Sequence, residues 1–371
     1  MVMSLWEVCS LGKVDEARAA LKLRFRVNKG LDVNRRNADN ETVLMYVAGR
    51  CSHISILRLL LEQPPIEVNL ANNMGSTALH VATYARNIEA VRLLLADPRV
   101  DVNKTETHVG NETALMIAAG LDPSETQVSV LRLLLEHPSI KVNLADDVGY
   151  TALHRASRGI AWVKTAWKPV TRSIEPVRLL LANPDVDVNC KDSSEQVTPL
   201  MMATSGPIDI FELLLTDPRI DVNSADSEGM TALSHASNDS NVEAVKLLLE
   251  DQRVDVNNRS GLNALHVAAF PETDIKVMKL LLAHPRVDVN CKIGPGRTVL
   301  HAAAFTNNVE NVKLILAEPR FTSANALDED ECTAVTIAAS KCNWDVLKEL
   351  VHHPSIDLGG KDRNGLDELI R

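Results

Sequence analysis

The chain has 371 residues, of which 45% are hydrophobic but only 3% aromatic, and it carries a formal charge of −10 at pH 7. That length normally divides into two or three domains, and the apolar share is enough for a sizeable core filled by Leu, Ala and Val rather than rings. An acidic balance argues against a general nucleic-acid binder, which needs a basic face for phosphates, and no apolar run reaches the roughly 20 residues that span a bilayer.

Read from its start, MVMSLWEVCSLGKVDEAR has neither the basic opening nor the long apolar stretch of a signal peptide. LWEVCSLGKVDEARAAL predicts the two helices of a first unit, residues 1–34, whose outer face carries Glu7, Lys13, Asp15, Glu16 and Arg18 and is polar enough to cap a stack. Beyond it the chain repeats itself. RLLLADPRVDVN (Arg92–Asn103) returns as LLLEHPSIKVN (Leu133–Asn143), LLLTDPRIDVN (Leu213–Asn223), LLLEDQRVDVN (Leu247–Asn257) and LLLAHPRVDVN (Leu280–Asn290). The Asn that ends each VN stands at Asn34, Asn69, Asn103, Asn143, Asn189, Asn223, Asn257 and Asn290, with gaps of 35, 34, 40, 46, 34, 34 and 33 residues. A second phrase, TALH, occurs at Thr77–His80 and Thr151–His154, with variants starting at Thr113, Thr198, Thr231, Asn263, Thr298 and Thr333. Both phrases keep one period at a fixed offset, and a period of about 33 residues is the mark of a solenoid.

Within one unit the local physics is legible. TALHVATYARN predicts a short helix with Thr77 as its N-cap and alanines small enough to let a neighbouring helix approach. IEAVRLLLADP (Ile88–Pro98) predicts a second helix with Val91, Leu94 and Leu95 on its apolar face, stopped by Pro98, which also bars the helical conformation from the residue before it. VDVN then leads into a turn closing near Gly75, Gly110, Gly149 or Gly229. Neither helix buries its face alone, so stacking completes the core.

GSTALHVA (Gly75–Ala82), the Leu triplets and the DVN ends together resemble the ankyrin-repeat family over nearly the whole chain. The resemblance implies an all-α repeat solenoid of about ten stacked helix-turn-helix-β-hairpin units forming a curved superhelix. The expected division is a single domain, 1–371, with a capping unit at 1–34, nine repeats over 35–362 with an insertion near 160–172, and a stub or cap at 363–371. One departure recurs: where that family ends its second helix on Gly, x-P-R-V stands here, a change expected to alter the loop but not the stacking.

Candidate chemistry is sparse. His80, His154, His266 and His301 recur at one repeat position, roughly 10 Å apart along such a stack, whereas zinc needs its ligands about 2 Å from one centre. In the family that His bonds the Thr and the neighbouring hairpin. Among the six cysteines, Cys9, Cys51, Cys190, Cys291, Cys332 and Cys342, none forms C-x-x-C or a zinc-ligand spacing, and reduced thiols in an intracellular, cytoplasmic protein are the simplest reading, with the nucleus left open. No catalytic or nucleotide-binding motif occurs; IGPGRT (Ile293–Thr298) is glycine-rich but falls where a hairpin tip belongs. The expectation is a non-enzyme without metal or cofactor.

Function then falls to exposed columns. Seven residues after each Thr of the second phrase stand Gly49, Tyr84, Gly120, Arg158, Ser205, Asn238, Phe270, Phe305 and Ser340, a column expected on the concave side, where Phe270 and Phe305 would make one apolar patch. The period breaks at Arg155–Glu175, which brings Trp162 and Trp167 among Arg158, Lys164, Lys168 and Arg172. Protein-binding candidates are therefore Tyr84, Tyr150, Arg158, Trp162, Trp167, Phe270 and Phe305. Against each stands a bland reading: the rings cover local gaps and the tryptophans pin their own loop. Hairpin tips with Asp146, Asp147, Asp226, Glu228 and Asp328–Glu331 form a second exposed row, either steering a basic partner or merely favouring turns. The resemblance further implies hydroxylation candidates at Asn69, Asn103, Asn143, Asn189, Asn223, Asn257 and Asn290, each with a Leu eight residues earlier.

These features predict a protein–protein scaffold, adaptor or regulatory subunit, monomeric, with no nucleic-acid partner and no membrane insertion. The rivals are the repeat portion of a larger enzyme or effector, a structural or engineered array without a partner, which the uneven insertions at Asn111, Ile160–Arg172 and Pro271–Thr273 oppose, and small-ligand binding, for which the sequence carries no deep-pocket signal.

Overall fold

The computed structural model describes residues 5–26, 32–107, 110–121, 124–158 and 173–358, and divides into two compact units, Met1–Ser194 and Glu195–Arg371. Trp162, Trp167, the rest of the 160–172 insertion and the 363–371 stub lie outside the described residues.

The first unit is built of helix pairs: α1 (Leu5–Ser10) with α2 (Val14–Arg26), α3 (Val43–Ala48) with α4 (Ile54–Leu61), α5 (Ala78–Tyr84) with α6 (Ile88–Leu95), α7 (Ala114–Gly120) with α8 (Glu125–Leu135), and α9 (Ala152–Ser157) with α10 (Glu175–Leu181). The second unit continues the pattern with α11 (Pro199–Ala203) and α12 (Ile208–Leu215), α13 (Ala232–Asn238) and α14 (Val242–Glu250), α15 (Ala264–Val267) and α16 (Ile275–Ala283), α17 (Val299–Phe305) and α18 (Val309–Ala317), and α19 (Ala334–Ser340) and α20 (Trp344–His352). Within each unit, first helices stack on first helices and second on second. Fully buried alanines such as Ala82, Ala118, Ala236 and Ala303 bring the first helices close, while Leu94, Leu134, Leu248 and Leu281 fill the layer of the second.

At Thr77, Thr151 and Thr298 the Thr heads a first helix and the His three residues on completes a capping box. The Thr77 amide donates to His80 Nδ1 at 3.1 Å, and the Thr298 amide to His301 Nδ1 at 3.1 Å. With its Nδ1 accepting, His301 carries the proton on Nε2 and donates it to the Cys332 carbonyl of the next hairpin at 3.1 Å; His266 faces Asn263 Oδ1 with Nδ1 at 2.6 Å and the Arg297 carbonyl with Nε2 at 3.1 Å. Burial pushes the imidazole pKa of His80, His266 and His301 down, that of His266 to about 4, so these rings are neutral spacers.

Asn69 and its equivalents hold the next repeat with both ends of one amide. Asn69 Nδ2 donates to the Arg99 carbonyl at 2.7 Å while its Oδ1 accepts from the Asp101 amide at 2.8 Å. The same two bonds recur at Asn34, Asn103, Asn143, Asn223, Asn257 and Asn290. Asn325, in the degenerate phrase SAN, makes them too, to Ser355 and Asp357.

The arginines of the loops that end the second helices reach back to the preceding pair. Arg99 reaches the Leu61 carbonyl at 2.7 Å, Arg253 that of Leu215 at 2.6 Å, Arg286 that of Leu249 at 2.7 Å, and Arg320 that of Leu282. Each acceptor lies at the C-terminal end of the second helix one pair earlier, where orphan carbonyls and the helix dipole both favour a cation. The guanidinium thus replaces the family's local Gly cap with one supplied by the neighbour.

The loops between pairs are tighter than full hairpins: among the described residues pairing is limited to isolated bridges, Arg36 with Thr42, Thr105 with Thr113 and Ile293 with Arg297. Their turns form around a side-chain oxygen. Asp146 Oδ1 accepts from the Val148 and Tyr150 amides at 3.0 and 2.8 Å, and Asp226 and Asp328 do the same two and four residues on. Asp146 and Asp328 are consequently buried, which corrects their placement in an exposed acidic row; Asp147, Glu228 and Glu329 do face solvent. At Gly75 a positive φ of 76° meets a close approach, since a Cβ there would lie 2.2 Å from the Thr107 amide nitrogen of the next loop.

Candidate protein-binding groove

Phe270 and Phe305 come together. They follow α15 and close α17, and with Leu262, Ile293, Pro295 and Ala302 they line a groove of about 380 Å³ within the second unit. Phe305 is 47% exposed and Phe270 half-buried. IGPGRT forms one wall as a hairpin, Ile293 and Arg297 exchanging backbone bonds of 2.9 and 3.0 Å. The groove opens at Ala302. Four residues past the capping Thr, other pairs carry Val81, Ile117, Arg155, Met202 or His235, and a side chain of that size would fill the space between the two rings. One small residue in a column of larger ones is the sequence signal of this groove.

The groove's polar atoms are few. Arg297 Nε meets Asp328 Oδ2 at 3.3 Å, and the Lys341 ammonium sits 4.6 Å from the Phe305 ring centroid, a cation–π contact. Glu228 is also among the lining residues.

The remaining candidates belong to the first unit. Tyr84 is 42% exposed, but its hydroxyl donates to Glu106 Oε1 at 2.7 Å; Ser76 Oγ donates to the other oxygen, also at 2.7 Å. Burial pushes the Tyr84 phenol pKa up, with the Glu106 hydrogen bond adding to it. Tyr150 stacks on His154 with centroids 5.5 Å apart, and the Arg155 guanidinium lies 5.7 Å from its ring. Arg155 bridges Glu112 at 2.5 Å and the buried Asp146. Burial raises the Glu112 pKa, with Arg155 acting against it. Arg158 caps α9 through its amide, bonded to the His154 carbonyl at 3.1 Å. A further aromatic group was not anticipated: Trp6 and Tyr46, with centroids 5.4 Å apart, and the Arg50 guanidinium 3.7 Å from the Tyr46 centroid. Tyr46 sits in the same column as Ala302.

Among the described residues no group of three or more His, Cys, Asp or Glu is disposed to hold a metal ion, and no helix is long and apolar enough to cross a membrane. His154 Nδ1 lies 3.6 Å from Cys190 Sγ, but burial pushes that thiol up to about 11, away from the thiolate a nucleophile needs.

The family model for ankyrin repeats (3 copies) matches residues 13–106, 219–293 and 265–362. No curated protein matches the chain. Repeats of this kind generally mediate protein–protein interaction and are generally non-catalytic. The matched segments cover more than half of the sequence and fall on the helix pairs joined by the asparagine bridges, so the chain belongs to the ankyrin-repeat family.

Proposed function

We propose that the protein is a non-catalytic recognition scaffold, an adaptor or regulatory subunit, that grips a protein partner through the side lined by its first helices, with the Phe270–Phe305 groove as principal anchor. The observation that carries this reading is the pair of aromatic rings held at one repeat position in adjacent repeats, flanking an apolar groove that Ala302 leaves open. Rings held half-exposed over a concavity are what interface hot spots are made of. Tyr84 and Arg158 hold the same column position in the first unit, and we keep them, with Tyr150, as secondary binding candidates of that unit. All six cysteines are free thiols, which supports a reducing compartment inside the cell.

The test is crosslinked affinity capture from native lysate, using wild type beside a Phe270→Ala, Phe305→Ala variant matched in thermal stability. Crosslinks that map to residues 228–341 and vanish in the variant support the reading. Equal capture by both proteins removes the column from the interface. Hydroxylation of Asn69, Asn103, Asn143, Asn189, Asn223, Asn257 or Asn290 is a separate proposal, supported by the eight-residue Leu spacing. Intact mass from cells containing an asparaginyl hydroxylase should show added oxygen, and an unmodified mass disposes of it.

A further inference from the structure

We propose that the occupant of the groove is a peptide segment with a bulky apolar side chain flanked by Arg or Lys. This rests on the protein-recognition reading and specifies what is recognised. The apolar part follows from the floor: Leu262, Phe270, Ile293, Ala302 and Phe305 present carbon, and the volume of about 380 Å³ lies within the range of sites that hold a compact ligand. His266 and His301 line the base, but their nitrogens are spent on their own capping residues and on the next hairpin, so the floor offers no free polar partner.

The charge of the flanks follows from the rim. Arg297, the cation lining the groove, is neutralised by Asp328. The exposed carboxylates Glu228 and Glu329 then stand on the hairpin side, the first among the lining residues and the second with its side chain 3.6 Å from where a Cβ on Gly296 would project. Lys341 is the opposing charge, and its ammonium is engaged on the Phe305 ring. That contact also indicates what the aromatic faces attract, because a guanidinium or ammonium arriving over Phe270 would meet the same quadrupole. An acidic peptide would instead face like charges across a short distance in a partly desolvated groove.

The experiment is fluorescence anisotropy of labelled decapeptides against the full-length chain. One peptide has a central Trp-Leu pair between Arg-Arg flanks, one has Asp-Asp flanks, and one keeps the Arg-Arg flanks around Ala-Ala. We expect the Arg-flanked Trp-Leu peptide to bind about tenfold or more tighter than either control at about 50 mM salt, and the advantage over the Asp-flanked peptide to shrink at about 500 mM. Ala302→Met, which fills the groove while leaving both aromatic residues in place, should weaken that peptide about tenfold with an unchanged melting temperature. The double reversal Glu228→Lys, Glu329→Lys should invert the flank preference. Equal binding of the Ala-Ala peptide would overturn the apolar anchor, and equal or tighter binding of the Asp-flanked peptide would overturn the basic flanks. If no peptide binds while crosslinked capture still depends on Phe270 and Phe305, the occupant proposed here is wrong and the scaffold reading stands. If neither assay depends on the rings, both fall.

Discussion

The two units use the same repeat positions to opposite ends. In the first, polar and aromatic side chains near the first helices engage one another: Tyr46 between Trp6 and Arg50, Tyr84 and Ser76 on Glu106, Arg155 between Glu112 and Asp146. In the second, the equivalent surface around α15 and α17 leaves two rings and a small residue facing an unfilled groove. A repeat fold holds its backbone with buried Ala, Leu, Asn and His, so the side chains left over are free to rigidify one stretch and keep another receptive. Which of these they do is decided by the size of a few residues rather than by the fold.

The sharpest way to break this contrast is to remove the charge at the centre of the first unit's network. Arg155→Leu leaves Glu112 and Asp146 facing each other half or fully buried, and should cost about 3–5 kcal/mol. Urea unfolding should then show an early transition, with hydrogen exchange accelerating in residues 76–158 before residues 228–341. A single unshifted transition would show that the network contributes nothing to local stability.

Acid should act on the second unit by another route. His266 titrates at about 4 when folded against 6.5 for the free side chain, so the unfolded chain binds the proton first. The stabilisation is present above pH 6.5 and is lost as pH falls toward 4, about 3 kcal/mol from this residue. His80 and His301 shift in the same direction. Glu112, whose folded pKa is raised, works the other way: its burial is least costly at low pH and destabilises as pH rises. Amide protection in residues 263–305 should therefore fade before that in residues 106–158 between pH 6.5 and 4, and replacing His266 by Gln should flatten the dependence there.

Smaller effects sharpen the picture. Tyr84→Phe removes one of two hydroxyls from the buried Glu106 carboxylate and should cost about 1–3 kcal/mol in chemical denaturation. Phe305→Ala, on a ring nearly half in water, should change stability by about 1 kcal/mol or less while abolishing groove binding. A large destabilisation by Phe305→Ala would mean that the ring is core, and that the groove is a packing defect.

The repeat architecture was legible because most helix pairs obey the same short-range rules: a Thr cap, alanines at close contact, a Pro stop, an Asn at the turn. The column containing Phe270 and Phe305 was legible because it is a fixed offset from that Thr. Ala302 was not, since an alanine announces nothing until its neighbours' sizes are compared across repeats. The reach of Arg99, Arg253, Arg286 and Arg320 was invisible for a different reason: their partners are backbone carbonyls 37 or 38 residues earlier, which carry no side-chain signature. Burial of Asp146 and Asp328 also escaped notice, because an Asp in a turn reads as solvated unless its oxygen is known to organise that turn.

The asparagine bridge has a consequence for how such a chain can grow. From Asn257 to Arg286 the bond closes over 29 residues, and from Asn143 to Asp185 over 42, yet the bond length is 2.8 Å in one and 2.7 Å in the other. The bridge reads only the loop it lands on and is blind to the contour length in between. New segments can therefore be spliced between one bridge and the next without shifting the register of anything downstream. The long interval from Asn143 to Asp185 marks a place where the array has accepted foreign length, and it is where a tag or a second recognition loop should be grafted with least disturbance.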